Sequence, residues 1–130
     1  QSGIYQNAFR MVGLDVTMCA IPDLAGLIEF GENKKATSDS IKKALKDFDL
    51  ESFDALVLSC THYPLVKEVF TDVLKGKGVV LFDPAHEVAE RVEKLWWPQE
   101  SGVGITKFLI SEDSKTFRRR VKKLFPNNCG

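Results

Sequence analysis

"ALVLSCTHYPLVKEVFTDVLKG", residues 55–76, decides how the rest of the chain is read. Its first four residues, Ala55 to Leu58, are apolar without alternation. With Ser59, they read as a strand covered on both faces, as in a parallel sheet. The run stops at Cys60-Thr61-His62. Pro64 suits the first turn of a helix, where a missing N–H costs nothing. Leu65, Val69, Phe70 and Val73 recur at helical spacing as the buried side of that helix, and Gly76 ends it. A thiol, a hydroxyl and an imidazole thus sit side by side between a buried strand and a helix.

The same alternation continues in both directions. Toward the C-terminus, "GVVLFD" (78–83) reads as a second strand. Val88, Val92, Leu95 and Trp96 mark a helix face broken by Pro98. "TKFLIS" (106–111) is a weaker strand, and Ser111 is placed to cap a helix carrying Phe117, Val121 and Leu124, stopped by Pro126. Toward the N-terminus, Ile4, Ala8, Met11 and Val12 share a helix face that Gly13 can stop. "DVTMCAI" (15–21) carries the β-branched residues of a strand. Pro22-Asp23 opens a short helix with Leu24, Leu27 and Ile28, closed by Gly31. "ENKKATSDS" (32–40) reads as a polar loop. Ile41, Ala44, Leu45 and Phe48 then mark an amphipathic helix. Strands alternating with helices predict an α/β protein with a mostly parallel sheet flanked by helices. Such sheets bind ligands at the carboxyl ends of their strands, which is where Cys60 falls.

Composition narrows the class. The 130 residues suit one ordinary domain, 44% hydrophobic and 28% charged. Lys+Arg and Asp+Glu are both 18, so no net charge favours nucleic acid or an acidic membrane surface. No apolar run approaches the roughly 20 residues of a membrane span. "QSGIYQNAFR" lacks the basic and apolar regions of a signal peptide. Three widely spaced cysteines, Cys19, Cys60 and Cys129, make a poor disulfide framework and suit a reducing cytoplasm. They form no CxxC pair, so no zinc or other metal site is expected. The chain opens on Gln1 rather than Met, as a processed product or a piece of a longer one would.

On local context, Cys60 has two readings. A helix N-terminus would favour a thiolate there, which can act as nucleophile or base, with Thr61 and His62 beside it. It would equally serve as a small buried hydrophobe at a strand end. The motif tips the balance. "SCTHYPLV" (59–66) closely resembles the GCTHYPLL signature of glutamate racemases, in the aspartate/glutamate racemase superfamily. "QSGIYQNAF" is similar to the segment after that family's Thr-rich substrate loop, "IPDLAGLIEFGE" to its CPLFVPLIEEG segment, and "VVLFDPAHEVAERVEKL" to its strand-DPA-helix element. "KFLISEDSKTFRRRVKKLF" matches the closing strand and helix. The resemblance covers nearly the whole chain and makes it the C-terminal portion of such an enzyme.

The resemblance implies a cofactor-independent interconversion of L- and D-glutamate. Two cysteines flank the substrate α-carbon; one removes a proton from one face and the other delivers a proton to the opposite face. Inversion by proton exchange needs such an acid and base on opposite sides. Cys60 would be the second cysteine, handling the proton of the L-enantiomer. His62 would tune or assist the thiol, Thr61 would help hold the substrate, and Glu29 would stand at the edge of the site, with Glu32 as the competing position. The product would supply D-glutamate for peptidoglycan in the bacterial cytoplasm. Partners would be the small-molecule substrate and the missing N-terminal domain; a homodimer is left open.

The chain departs from the pattern in places. Ser59 replaces Gly, Ile21 stands where many members have Cys, and Asp23 and Gly26 alter the CPLFVPLIE run. The family's first cysteine, with its Asp-Ser and Asn-Thr pairs, belongs to an N-terminal half that has no counterpart here. Cys19, inside an expected strand, reads as core filler. Cys129 lies in a terminal Pro-Asn tail where nothing fixes its geometry. His86 reads as an exposed helix start, and Trp96 of Trp96-Trp97 as packing against a neighbour. Residues 1–84 would form the second α/β domain, lacking its first strand, and residues 85–130 the return to the first. The rival readings are an aspartate or hydantoin racemase of the same superfamily, and a non-catalytic fragment or interaction protein.

Overall fold

In the computed structural model, the described residues are 3–31, 33–96 and 107–126. Glu32, Trp97, Cys129 and the first residue of the expected strand 106–111 lie outside them. The chain divides into two compact units between Pro84 and Ala85. In the first unit the order is α1 (Ile4–Arg10), α2 (Leu24–Phe30), α3 (Lys34–Leu45), β1 (Ala55–Val57), α4 (Lys67–Leu74) and β2 (Val80–Phe82). A 3-10 turn over Tyr63–Val66 precedes α4. The second unit holds α5 (Ala85–Trp96) and α6 (Lys115–Leu124). No helix among the described residues is long and apolar enough to cross a membrane.

The sheet is parallel, as expected of an α/β protein, but only two strands wide. Ala55, Leu56 and Val57 stand opposite Val80, Leu81 and Phe82. Pairing runs on to Leu58, whose N–H donates to the Phe82 carbonyl at 2.9 Å. The core lies on one face. Leu24 and Ile28 of α2, Ile41 and Leu45 of α3, and Val69, Phe70 and Leu74 of α4 close over Leu58, with Leu56 and Leu81 packed against them. Phe70 is almost wholly buried, and its ring meets Tyr63 at a 5.5 Å centroid distance. Burying one such side chain is worth about 1.5–3 kcal/mol.

Several expectations are overturned. The strands are not covered on both faces: Val57, Val80 and Phe82 are exposed, because α2, α3 and α4 all lie on the other side. Residues 15–21 form no strand, and neither do 107–111, since no described segment pairs with them. A β-branched run is extended by preference but becomes a strand only against a neighbour. The stretch 32–40 is not a loop. From Lys34 it is helix, capped by the Asn33 side chain, which accepts from the Ala36 N–H at 3.1 Å. Lys35 and Asp39 pair at 2.6 Å one turn apart. A helix with so many polar residues hides its period, and only Thr37, Ile41 and Leu45 are buried on it. It stops at Leu45, leaving Phe48 beyond its end.

Other faces read as buried are open. Ile4, Met11 and Val12 of the first helix face are exposed, as is Leu65, which the 3-10 turn points outward. No residue of α5 is buried, and Trp96 is 67% exposed rather than packed. Ser114, not Ser111, caps α6, accepting from the Phe117 N–H at 3.0 Å. In the second unit Phe108 gathers Phe117 and Phe125 at centroid distances of 6.4 and 5.5 Å.

Candidate active site

Cys60 stands three residues past β1, at the carboxyl end of a parallel strand and half-buried. The chain turns sharply there: the Tyr63 N–H donates to the Cys60 carbonyl at 3.1 Å, and the Leu65 N–H to that of His62. The α-helix proper begins only at Lys67. Cys60 therefore faces a short 3-10 turn, and the field of an α-helix N-terminus is not what surrounds it.

An imidazole surrounds it instead. His62 Nδ1 lies 4.0 Å from Cys60 Sγ, and His62 Nε2 lies 3.2 Å from a carboxylate oxygen of Glu29. A carboxylate only accepts. In a neutral imidazole, a carboxylate beside Nε2 favours the tautomer protonated there, which turns the Nδ1 lone pair toward the thiol. Thiol, imidazole and carboxylate in series are the arrangement that activates a nucleophile or base. Glu29 reaches His62 from the last turn of α2, across 33 residues of sequence. The end of α2 is fixed by Gly31, where a Cβ would sit 2.7 Å from the Leu27 carbonyl oxygen. Both side chains keep about a third of their surface open, so solvent and ligand can reach the pair. Thr61 is exposed beside them.

Behind the pair, the Tyr63 hydroxyl donates to the Ile21 carbonyl at 3.5 Å. Burial first, then the thiols of Cys60 and Cys19, push the Tyr63 phenol up from its ordinary value. Cys19 is partly buried against the core and donates to the Ala44 carbonyl at 3.6 Å, and burial pushes its thiol up. Both thiols are free and both line one open apolar cleft of about 600 Å³. Nothing in the sequence singles out Tyr63 beyond its place in the motif; an aromatic directly after a strand-end His carries no signal of its own. His86 lies at the exposed start of α5, 3.1 Å from Glu90 one turn on. Among the described residues, no three His, Cys, Asp or Glu side chains gather as a metal site would need.

No protein-family model matches the chain. Curated proteins do. It is 32% identical to glutamate racemase 3 of Caldanaerobacter subterraneus subsp. tengcongensis over 93% of its own length and 47% of that protein's. It is 38% identical to the glutamate racemase of Lactobacillus acidophilus over 63% of its own length and 31% of that protein's. The crystal structure of glutamate racemase isoform RacE1 from Bacillus anthracis superposes on the whole chain with a TM-score of 0.81, at 23% identity, covering 51% of that structure. The structural likeness establishes the shared fold, and the sequence matches carry the kinship. The chain belongs to the glutamate racemase family and spans, at most, about half the length of the curated relatives it matches.

Proposed function

We propose that this chain supplies one of the two proton-transferring faces of a cofactor-independent glutamate racemase. The observation that carries the reading is the series Cys60, His62, Glu29 at the carboxyl end of β1, with spacings of 4.0 and 3.2 Å. His62 takes the Cys60 proton, and Glu29 holds the imidazole in the orientation and tautomer that allows it. The thiolate removes the α-proton of L-glutamate. The C–H electron pair passes into the α-carboxylate, and a second thiol on the opposite face returns a proton to the same carbon. Thr61, open to solvent beside Cys60, offers its N–H and hydroxyl to a substrate carboxylate.

The second cysteine is the part this chain does not provide. Cys19 shares the cleft but is tied to Ala44 in the core. Residues 1–84 form the second α/β domain of the parent enzyme, and residues 85–130 pack on its first. The parent makes D-glutamate for peptidoglycan in the bacterial cytoplasm.

The test is D-glutamate formation by the full chain alone and after mixing with the N-terminal portion of the Caldanaerobacter racemase. The chain alone should be inactive, and the mixture active. Cys60→Ser should abolish that turnover, and His62→Gln should lower kcat by about 10²-fold, the low end for a general acid–base group. Turnover that survives Cys60→Ser defeats the reading.

A further inference from the structure

Two adjacent residues of the Cys60 turn hold α2 at its two ends. At its far end, Glu29 meets His62 Nε2 at 3.2 Å. At its entry, the Tyr63 hydroxyl donates to the Ile21 carbonyl, three residues ahead of Leu24, at 3.5 Å. Tyr63 is itself fixed. Its N–H donates to the Cys60 carbonyl at 3.1 Å, and its ring lies against Phe70 on the buried side of α4. One residue therefore closes the turn with its backbone and reaches α2 with its side chain.

The entry to α2 gives that reach a consequence. Between Ile21 and the helix, Asp23 stands at φ 63, in the left-handed region that few residues other than glycine adopt. Such a residue keeps its conformation only where its surroundings hold it. The Asp23 carbonyl accepts from the Leu27 N–H at 2.8 Å on the helix side, and the Ile21 carbonyl is held by Tyr63 on the other. Leu24 and Ile28 press α2 into the core. Apolar contact is non-directional, so it sets how deep the helix sits more than where it lies along its axis. With seven residues, α2 is only about 10 Å long, so a shift at its entry is carried to Glu29.

We propose that Tyr63 is a positioning residue for this site: by holding Ile21, its hydroxyl fixes where α2 delivers Glu29, and through Glu29 the orientation of the His62 ring toward Cys60. This deepens the proton-transfer reading of Cys60 and rests on it. The role asks no proton transfer of the phenol. The bond to Ile21 is long for a hydroxyl donor, so it steers α2 and contributes little to stability.

Alkylation of the full chain by iodoacetamide across pH, read at each cysteine by peptide mass mapping, tests this without turnover. At neutral pH, Tyr63→Phe should slow the labelling of Cys60 by about threefold. At about pH 9.5, where thiols ionise without help, Cys60 should label alike in both proteins. Cys19, which donates to Ala44, should keep its rate throughout, and the urea midpoint at neutral pH should not move. Tyr63→Phe added to Glu29→Gln should slow Cys60 no further than Glu29→Gln alone, because the hydroxyl acts through that carboxylate. If Glu29→Gln slows Cys60 and Tyr63→Phe does not, the positioning role is overturned and the proton-transfer reading stands. If Glu29→Gln has no effect, both fall. A slowing by Tyr63→Phe that persists in alkali, or that comes with faster labelling of Cys19, is general loosening and overturns the proposal. So does a slowing that multiplies with that of Glu29→Gln.

Discussion

Cys60 and Cys19 present the same group to different surroundings, and the difference is measurable. The Cys19 thiol is raised by burial and donates to a backbone carbonyl. Cys60 is half-buried at a turn with an imidazole nitrogen 4.0 Å away. The thiolate is the reactive form, so iodoacetamide at neutral pH should modify Cys60 several-fold faster than Cys19, as read by peptide mass mapping. Glu29→Gln should slow labelling of Cys60 and leave Cys19 alone, because only Cys60 is linked to Glu29 through His62. The same variant should change stability by less than about 1 kcal/mol, since the His62–Glu29 pair keeps a third of its surface in water. Equal labelling of the two thiols would remove the case for activation. Sequence alone exposed Cys60, Thr61 and His62, because they adjoin one another at a strand end. It could not bring Glu29 to them, since 33 residues intervene and the contact exists only once α2 packs beside the turn. There the family resemblance supplied the position, and the competing Glu32 lies outside the described residues.

Elements were legible where they bury a continuous apolar stripe and illegible where they do not. β1, β2, α2 and α4 follow from their apolar runs and from Pro22, Gly31, Pro64 and Gly76 at their ends. The first two turns of α3 were hidden because the one residue they bury is the polar Thr37, and a cap and surface pairs hold the rest. That makes the cap testable: Asn33→Ala should destabilise the first unit by about 1 kcal/mol in urea unfolding, against a negligible effect for Lys35→Ala at an exposed pair. The 3-10 turn of Tyr63 offers a second test. The fold holds the phenol's proton more tightly than the unfolded chain does, through burial and then the neighbouring thiols. A group raised in this way contributes stability that is complete below its unfolded value, about 10, and is lost as pH climbs through the folded one. Tyr63→Phe should therefore flatten the decline in urea midpoint above about pH 10. It should not abolish the decline, because the raised Cys19 thiol loses its own contribution in the same direction.

At the scale of the whole molecule, the fold class was legible because alternation of strands and helices has few other solutions, yet the width of the sheet was not. Width depends on which segments find partners, and 15–21 and 107–111 find none among the described residues. The consequence is a large apolar surface left in water. Among the described residues, the eight buried apolar side chains all belong to the first unit, and none lies on α5 or α6. Met11, Phe30, Val80, Trp96 and Leu109 are between 62% and 93% exposed. A stable monomer rarely shows so many large apolar groups, and free strand edges add a template for further pairing. The chain alone should therefore associate as its concentration rises, with a weight-average mass in sedimentation equilibrium climbing above 14.6 kDa. Adding Lys at Val57 and Val80, on the bare face of the sheet, should push that association to higher concentration while leaving the core beneath intact. If the chain stays monomeric at high concentration, and the Val57→Lys and Val80→Lys changes make no difference, these surfaces are already covered in solution, and the account of an incomplete sheet fails.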